Sequence, residues 1–285
     1  MTGAGGQLGR ELVAVLAADP AYDSVVGLTR AALDVTDEAS VAEAVADAAP
    51  DVVLNAAAHT AVDAAESDPE EAEAVNVRGP ALLAAACART GAVLVHVSTD
   101  YVFAGDATTP YDVDAPLAPR TVYGRSKAAG ERAVRDLLPE ARVVRTAWLY
   151  GAGGRNFVRT MAARALRGEP SRVVDDQVGS PTWARHLAER LALAPQAPAG
   201  TYHLAGAGAV SWYGLARAVH EEVGADPALV QPCGSDEYPR PAPRPAYSAL
   251  DDRAWREAGL PAMPDWRDAL GEAFRRDGEA LRTAG

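Results

Sequence analysis

Short valine-rich runs alternate with stretches of helical periodicity through the first half of the chain. The valine-rich runs are bounded by turn residues, as buried strands are. They cover Ser24–Leu28, Asp51–Ala58, Ala92–Thr99 and Ala141–Gly151, and the helical stretches cover Gly6–Ala17, Glu38–Ala48, Asn76–Arg89 and Tyr123–Leu137. Strand and helix repeated at this spacing predict an α/β fold with a doubly wound parallel sheet, covered by helices on both faces.

The second half of the chain is less regular and mainly helical. Its helical patterns cover Phe157–Leu166, Trp183–Leu193, Trp212–Val223 and Trp266–Leu281, with loops rich in proline and glycine between them. One of these loops, EYPRPAPRPAYS at residues 237–248, has the composition of a polyproline-like linker. We therefore expect a smaller, mainly helical C-terminal domain, in which this loop is either a linker or part of a site.

Charge and cysteine content disfavour several classes of partner. The formal net charge of −12 disfavours nucleic acid, which binds basic surfaces. No uncharged apolar run reaches the roughly 18 residues of a membrane span, and no leader sequence is recognisable. Cys87 and Cys233 lie far apart in the sequence and outside any CxxC motif. They are therefore expected to be reduced thiols in a cytosolic protein. We therefore expect a cytoplasmic protein whose partner is a small molecule, not nucleic acid or a membrane.

The chain opens with TGAGGQLG, in which Gly3, Gly6 and Gly9 recur every third residue before a helix. Glycine permits a tight turn close to a pyrophosphate, and the helix N-terminus offers free N–H groups and the positive end of a dipole. The pattern predicts a dinucleotide-binding loop. Such a loop normally follows a buried central strand, for which this sequence has no residues. We therefore expect that the natural chain begins several residues upstream of Met1.

The end of the second predicted strand indicates which dinucleotide binds. An acidic residue there holds the ribose 2′-hydroxyl of NAD, whereas a basic residue tolerates the 2′-phosphate of NADP. In LTRAALDVTD, Arg30 comes first and the first acid is Asp34. The sequence therefore predicts NADPH, with NADH as the alternative, and places Asp34 and Val35 beside the adenine. Arg30 as a solvated surface residue is the other interpretation.

The only lysine of the chain, Lys127, lies four residues after Tyr123 in TVYGRSKAAGER. Residues four apart share one face of a helix, so the ammonium can lower the pKa of the phenol and hold a bound ribose. Arginine carries the positive charge elsewhere, so this position requires a compact ammonium. A hydroxyl partner is expected where the strand Ala92–Thr99 ends. Thr99 is the first choice and Ser98 the second, because neighbouring strand residues point to opposite faces.

These motifs together resemble the extended short-chain dehydrogenase/reductase family, which has the Rossmann fold. The resemblance runs from end to end of the chain, through TGAGGQLG, DVVLNAAAHTAVDAAE, STDYVFAG, YGRSK, RTAWLYG, DDQVGSPT and RPAYSALD. Within the family, the motifs are most similar to those of reductases that act on dTDP-linked sugars. The resemblance implies a dinucleotide-binding domain at residues 1–150, to which residues 178–205 return, and a nucleotide-sugar domain at residues 151–177 and 206–285.

The resemblance also implies roles for individual residues. Thr99, Tyr123 and Lys127 match the catalytic set. The positions assigned to cofactor binding are Gly3, Gly6, Gln7, Leu8, Gly9, Arg30, Asp34, Val35, Asn55, Ala56, Ala57, Ala58, Asn76, Tyr123 and Lys127. The positions assigned to substrate binding are His59, Thr99, Asp100, Tyr101, Tyr123, Trp148, Asn156, Gln177, Arg240 and Arg244. The match at Arg244 favours a nucleotide-sugar site over a linker at residues 237–248.

The implied reaction is reduction of the 4-keto group of a dTDP-6-deoxy-4-ketohexose. The 4-keto carbon accepts hydride from NADPH, Tyr123 protonates the oxygen as general acid, and Lys127 stabilises the tyrosinate. Thr99 donates a hydrogen bond to the same oxygen. Arg240 and Arg244 are the candidate partners of the sugar's diphosphate.

Two features depart from the family pattern. His59 stands where an aromatic hydroxyl is common. Some relatives form dimers through metal-binding glutamates; Glu11 matches one of these, but Arg185 occupies the place of another acid. A cation cannot ligate a cation, so we expect no metal and no metal-bridged dimer, and a monomer or weak dimer instead.

Two other functions stay open from the sequence. A nucleotide-sugar epimerase or dehydratase would keep NAD tightly bound, and dehydratases often carry Asp-Glu after the catalytic threonine, where this chain has Asp100 and Tyr101. Other relatives are dinucleotide-binding regulatory subunits of methionine adenosyltransferase, without obvious turnover. The intact pair of Tyr123 and Lys127 favours an enzyme over a regulatory subunit.

Overall fold

The computed structural model describes residues 1–283, which form a parallel sheet with helices on both faces and a second, mainly helical region. The helices are α1 Gln7–Ala18, α2 Glu38–Ala48, α3 Val62–Ser67, α4 Pro69–Glu73, α5 Gly79–Thr90, α6 Val122–Leu137, α7 Phe157–Leu166, α8 Ala184–Leu193, α9 Trp212–Glu222, α10 Arg253–Glu257 and α11 Trp266–Arg282. The strands are β1 Val52–Asn55, β2 Val93–Thr99, β3 Arg142–Thr146, β4 Leu149–Tyr150, β5 Ser171–Val174, β6 Val178–Gly179, β7 Thr182–Trp183, β8 Gly200–His203, β9 Val210–Ser211 and β10 Val230–Cys233. A π-helical turn, Ala74–Arg78, precedes α5, and a 3₁₀ turn, Asp100–Val102, follows β2.

Strands β1, β2, β3 and β8 pair in that order, and each pairing is parallel. Thr2 extends this order, because it makes parallel bridges to Asn55 of β1 on one side and to Leu28 on the other. The strand order therefore reverses at Thr2. The chain first adds Leu28 on one side of Thr2 and later adds β1 on the other side. In doubly wound sheets, ligands bind at such a reversal, outside the carboxyl ends of the strands. The fold class predicted from the sequence is confirmed.

Alternate residues of each strand pack against different helices. Leu54, Val95 and Val144 share one apolar core with α1 and α8. The residue before each of them shares another core with α2, α5 and α6. Successive strand residues point to opposite faces, so each strand supplies side chains to both cores. This two-sided burial explains why the strands are continuous apolar runs.

Three of the four predicted strands are wrong in extent. The strand predicted at residues 51–58 is shortened to β1. Residues 24–28 form no strand, and only Leu28 makes a bridge, with its N–H donating to the Met1 carbonyl at 2.9 Å. A strand needs a hydrogen-bonded neighbour along its length, and the described neighbour on this side is the short stretch Met1–Thr2. Residues 141–151 form two strands, β3 and β4, because Trp148 between them has a left-handed φ of 43°.

The second region has its own apolar core among α7, α9 and α11, which includes Met161, Leu215 and Leu270. The loop at residues 237–248 is not a free linker, because Tyr247 bridges both Asp106 and Val178. We retain the division into residues 1–150 with 178–205, and 151–177 with 206–285, as a proposal. The separate helical core supports it, as does the pairing of β8 with β3.

None of the helices within residues 1–283 combines the length and the apolar character that crossing a membrane requires.

Candidate active site

A cleft of about 770 Å³ opens at the carboxyl edge of the sheet, and the glycine-rich loop forms one of its walls. Gly6, Gln7, Leu8 and Gly9 line it at the start of α1, whose first turn has no side-chain cap. A Cβ on Gly9 would lie 2.0 Å from the Gly3 carbonyl oxygen, so only glycine lets the helix approach the loop this closely. The uncapped N–H groups and the helix dipole give this wall the chemistry to bind a pyrophosphate.

Asn55 does not line the cleft, but its hydrogen bonds hold the residue before the glycine-rich loop against the backbone after β1. Its Oδ1 accepts hydrogen bonds from the Thr2 hydroxyl at 2.7 Å and from the Ala57 N–H at 3.1 Å. Its Nδ2 lies 3.0 Å from Nδ1 of His96, a ring whose pKa is lowered by burial and by the charge of Lys127. A neutral His96 can accept this bond. Asn55 therefore fixes the backbone after β1, where Ala56 and Ala58 line the cleft.

The residues predicted to contact the adenine and its ribose lie outside the cleft. Arg30 is exposed and forms an ion pair with Glu71 at 3.6 Å. Asp34 accepts hydrogen bonds from the backbone N–H and hydroxyl of Thr36, which lower its pKa. Val35 is buried and packs in the core with α2. Their roles in cofactor binding stay predictions.

Helix α6 and strand β2 bring the three predicted catalytic residues together. Tyr123 and Lys127 lie on one face of α6, and both line the cleft with Thr99 at the end of β2. The Thr99 side chain is close enough to the Tyr123 phenol to favour its ionised form and lower its pKa. Ser98, the second choice from the sequence, donates instead to Glu131 at 2.6 Å. Thr99 is therefore the hydroxyl that faces the phenol.

Burial controls the protonation of this cluster. It raises the pKa of Tyr123 to about 12, although the neighbouring Thr99 side chain opposes the shift. It lowers the pKa of Lys127 to about 8, although the charge of Glu131 opposes the shift. Burial dominates the pKa of the phenol in this structure, and the expected lowering of that pKa by the ammonium stays a prediction. The phenol is held in the protonated form that a general acid needs.

Asp100 and Tyr101 follow Thr99 in the 3₁₀ turn and line the same cleft. The Tyr101 ring meets the Tyr123 ring edge to face, with centroids 5.5 Å apart. Burial raises the pKa of Tyr101, and the neighbouring Asp100 raises it further. Tyr101 thus flanks the phenol as a neutral, flat side chain.

Asn76 links the loop after β1 to helix α6. Its Oδ1 accepts from the His59 N–H at 2.9 Å, and its Nδ2 donates to the His59 carbonyl at 3.0 Å and to the Ser126 hydroxyl at 3.0 Å. Asn76 is fully buried, and neither it nor His59 lines the cleft. The structure gives Asn76 a supporting position, and the predicted contact of His59 with substrate stays untested.

The far wall of the cleft is aromatic. Trp148 stacks on Trp212 with ring centroids 3.5 Å apart, and both rings line the cleft. A Cβ on Gly179 would come within 2.5 Å of the Trp148 indole, so the glycine of the GSPT motif leaves room for the ring. Trp212 was missed by sequence reasoning; its position at the start of a helix, in the stretch SWY, was the available signal.

Four arginines line the cleft beside this aromatic wall. Arg244 forms an ion pair with Asp63 at 2.7 Å, and Arg240 approaches the same carboxylate at 3.6 Å. Arg155 and Arg172 also line the cleft, and both were missed because no local motif marks them. Arg172 pairs with Glu237, whereas Arg155 has no ion pair or hydrogen bond within the described part of the chain.

Two further residues predicted to bind substrate, Asn156 and Gln177, make hydrogen bonds between segments around the cleft. Asn156 donates to the Gln7 side-chain oxygen at 2.8 Å and to the Gly151 carbonyl at 2.8 Å, and so ties α7 to the glycine-rich loop. Gln177 lines the cleft and donates to the Ser235 hydroxyl at 2.7 Å.

Glu11 and Arg185 lie outside the cleft, with the guanidinium 4.0 Å from the Glu11 carboxylate. Arg185 also pairs with Glu189 at 2.6 Å. The expectation that no metal bridges two copies at this position stays a prediction.

The chain matches the family model of the RmlD substrate binding domain over residues 1–278. It is 52% identical to dTDP-4-dehydrorhamnose reductase of Streptomyces griseus, over 96% of this chain and 92% of that protein. It is 50% identical to the probable dTDP-4,6-dihydroxy-2-methyloxan-3-one 4-ketoreductase of Streptomyces antibioticus, over 96% of this chain and 93% of that protein. The solved structure of dTDP-4-dehydrorhamnose reductase from Bacillus anthracis, in complex with NADP, has a TM-score of 0.92 and 36% identity, and the match covers 96% of this chain and 97% of that one.

Proposed function

This chain belongs to the RmlD substrate binding domain family, and on that premise we propose that it is an NADPH-dependent reductase of the 4-keto group of a dTDP-linked 6-deoxy-4-ketohexose. The names of the relatives at 52% and 50% identity support the reaction and the substrate class. The NADP complex of the Bacillus anthracis relative supports the cofactor. The observation that carries the proposal is the buried cluster of Thr99, Tyr123 and Lys127 in the cleft.

The residues of the glycine-rich wall fit a dinucleotide. The cradle made by Gly3, Gly6 and Gly9 has no side chain in the way, and the uncapped N–H groups of α1 can bind its pyrophosphate. Lys127 is placed to hold a ribose hydroxyl from the side of α6. When bound, NADPH supplies the hydride that the ketone carbon accepts.

Tyr123 is the proposed general acid. Its high pKa keeps the proton on the phenol until negative charge develops on the ketone oxygen. Thr99 donates a hydrogen bond to the same oxygen, and Lys127 stabilises the tyrosinate once the proton has moved. All three are nine-tenths or more buried, so little water competes with these contacts.

The aromatic and basic walls fit the rest of the substrate. Trp148, backed by Trp212, offers an apolar face to the deoxysugar or the base. Arg240 and Arg244 are proposed to bind the diphosphate after leaving their shared partner Asp63. Arg155, which has no such partner among the described residues, is added as a third candidate.

The two alternative functions have less support. The relatives at 52% and 50% identity are named for reductase activity and cover nearly the whole chain. A monomer or weak dimer without a bridging metal remains our proposal for the assembly, since Arg185 occupies the position next to Glu11.

The test is incubation of the purified full chain with NADPH and dTDP-4-keto-6-deoxy sugars of each 3,5-configuration. Net oxidation of NADPH is followed by absorbance, and the product is identified by NMR. We expect stoichiometric oxidation of NADPH with at least one sugar and a hydroxyl at C4 of the product. Turnover without net loss of NADPH would instead indicate an epimerase or dehydratase, and no turnover with any sugar would contradict the proposal.

A further inference from the structure

Asp100 is a buried carboxylic acid without a charged partner. It is 3% exposed, and no arginine or lysine forms an ion pair with it within residues 1–283. Its Oδ1 accepts the Thr99 hydroxyl at 2.9 Å. Its Oδ2 is buried and has no hydrogen-bond partner of good geometry in the described structure. Buried carboxylates are ordinarily paired, so an unpaired one lining a reactive cleft requires a reason.

The Thr99 hydroxyl can donate one hydrogen bond and accept two through its lone pairs. One lone pair accepts a hydrogen bond from the Tyr101 N–H at 3.3 Å. The single proton is given to Asp100. While ionised Asp100 holds that proton, Thr99 cannot donate to a ketone oxygen.

We propose that Asp100 is a positioning residue that works in its protonated form, donating its carboxyl proton as a hydrogen bond to Oγ1 of Thr99. The direction of the Thr99–Asp100 hydrogen bond is then reversed. Both lone pairs of Thr99 then accept hydrogen bonds, from Tyr101 and Asp100, so the Thr99 proton is free to point at the ketone oxygen beside the Tyr123 proton. No covalent bond changes in this rearrangement, and the proton that the product keeps comes from Tyr123. The inference rests on the proposed reductase function.

The groups around Asp100 allow this titration near neutral pH. Burial raises its pKa to about 6, while the neighbouring hydroxyls of Ser248 and Thr99 oppose the shift. Tyr101 and Tyr123 face it as neutral phenols. Lys127 lies in the same cleft, but its ammonium donates to the Val97 carbonyl at 2.8 Å. Arg244 and Asp63 act on Tyr101 rather than on Asp100 directly.

The test is the pH profile of kcat between pH 5 and 9 for the wild-type enzyme, Asp100→Asn and Ser248→Ala, with NADPH and the active 4-keto sugar saturating. In the wild type, kcat should fall as pH rises through about 6, approaching tenfold per pH unit, because ionised Asp100 takes the Thr99 proton. The amide of Asp100→Asn donates at every pH, so this fall should vanish. A separate fall near pH 8, from Lys127, should remain.

Ser248→Ala gives an independent check, and it also serves if Asp100→Asn does not fold. Ser248 stabilises the ionised form of Asp100, so its removal should move the first fall of kcat to higher pH. A wild-type profile that is flat between pH 5 and 7.5 overturns the inference. An Asp100→Asn profile that keeps the wild-type fall, or a Ser248→Ala profile that does not shift, overturns it as well.

Urea unfolding without substrate separates this inference from the proposed function. The raised pKa of Asp100 means that the wild type loses stability relative to Asp100→Asn as pH rises from about 4 to 6. Equal pH dependence of unfolding in the two proteins overturns the role of Asp100 whether or not any sugar is reduced. A wild type that reduces no sugar, with the expected difference in unfolding, contradicts the reductase assignment alone.

Discussion

The ammonium of Lys127 donates a hydrogen bond of 2.8 Å to the carbonyl oxygen of Val97, two residues before Thr99 in the same strand. This contact ties helix α6 to strand β2 at the point where the phenol of Tyr123 meets the hydroxyl of Thr99. Lys127 is only 1% exposed, so water is excluded from this contact and cannot compensate for a side chain of another length. Lysine is therefore needed here for its shape as well as its charge.

Replacing Lys127 with arginine should lower kcat by about 10²-fold or more. A planar guanidinium cannot occupy the space of a buried ammonium and also keep the single bond to Val97. Steady-state kinetics at saturating NADPH measures the effect. Arg125→Lys, on the exposed side of the same helix, is the matched control and should behave as wild type. Wild-type kcat in Lys127→Arg would contradict the role of the ammonium.

Replacing Tyr123 with phenylalanine should lower kcat by about 10²–10⁴-fold, because the ring stays but the acidic proton is lost. The Tyr101 ring, whose centroid is 5.5 Å away, keeps its packing partner, so the cleft should retain its shape. NADPH binding, measured by fluorescence titration, should change little. Full turnover by this variant would show that another group protonates the ketone oxygen.

The parts of the fold that the sequence predicts well are those with local signals. Helices α2 and α7 begin and end where their apolar periodicity does, at Glu38–Ala48 and Phe157–Leu166. The strand expected at Ser24–Leu28 did not form, because a strand depends on a neighbour that is distant in sequence. The break at Trp148 was hidden for a similar reason: its left-handed backbone is held by stacking on Trp212, which lies far along the chain.

The candidate site shows the same division. The spacing of Tyr123 and Lys127 and the end of β2 at Thr99 are local, and the structure brings these residues together. The positions of Arg155 and Arg172 depend on how the second region folds over the cleft, so no motif could reveal them. The hydrogen bond from Ser98 to Glu131 could not be predicted from the sequence either, because packing of α6 on β2 brings the two residues together.

Glu131 anchors a buried ionic cluster beneath the active site, so Glu131→Gln should destabilise the protein by about 3–5 kcal/mol. The carboxylate is fully buried and accepts two hydrogen bonds from Arg145, at 2.9 and 2.8 Å. Burial alone would raise the pKa of Glu131, but Arg145 and Ser98 lower it. A glutamine would leave the buried Arg145 charge unpaired. The free energy of unfolding in urea at pH 7 measures the loss.

The stabilisation by Glu131 should also depend on pH. Because its folded pKa is depressed, the stabilisation is present above the unfolded pKa and is lost as pH falls through the folded value. The difference between the wild type and Glu131→Gln should therefore shrink in acid. Glu169→Gln is the control, since its pair with Arg167 is exposed and its loss should leave stability nearly unchanged. Equal effects of the two substitutions at pH 7 would contradict the structural role of Glu131.

Gly9→Ala should weaken NADPH binding by at least about tenfold, or about 1.4 kcal/mol. The added Cβ would lie 2.0 Å from the Gly3 carbonyl oxygen and 2.8 Å from Cα of Ala4, so helix α1 must move away from the loop. That movement pulls the N–H groups of the first turn away from the pyrophosphate. Fluorescence titration with NADPH gives the dissociation constant directly.

Gly5→Ala in the same loop separates this steric effect from a general intolerance of substitution. A Cβ on Gly5 meets only the Thr29 methyl group, at 3.6 Å, which is an ordinary contact. Its dissociation constant for NADPH should stay within about twofold of the wild-type value. If both alanine variants bind NADPH as the wild type does, the loop is not the pyrophosphate site. If both lose binding equally, the close approach of α1 to Gly3 is not what shapes that site.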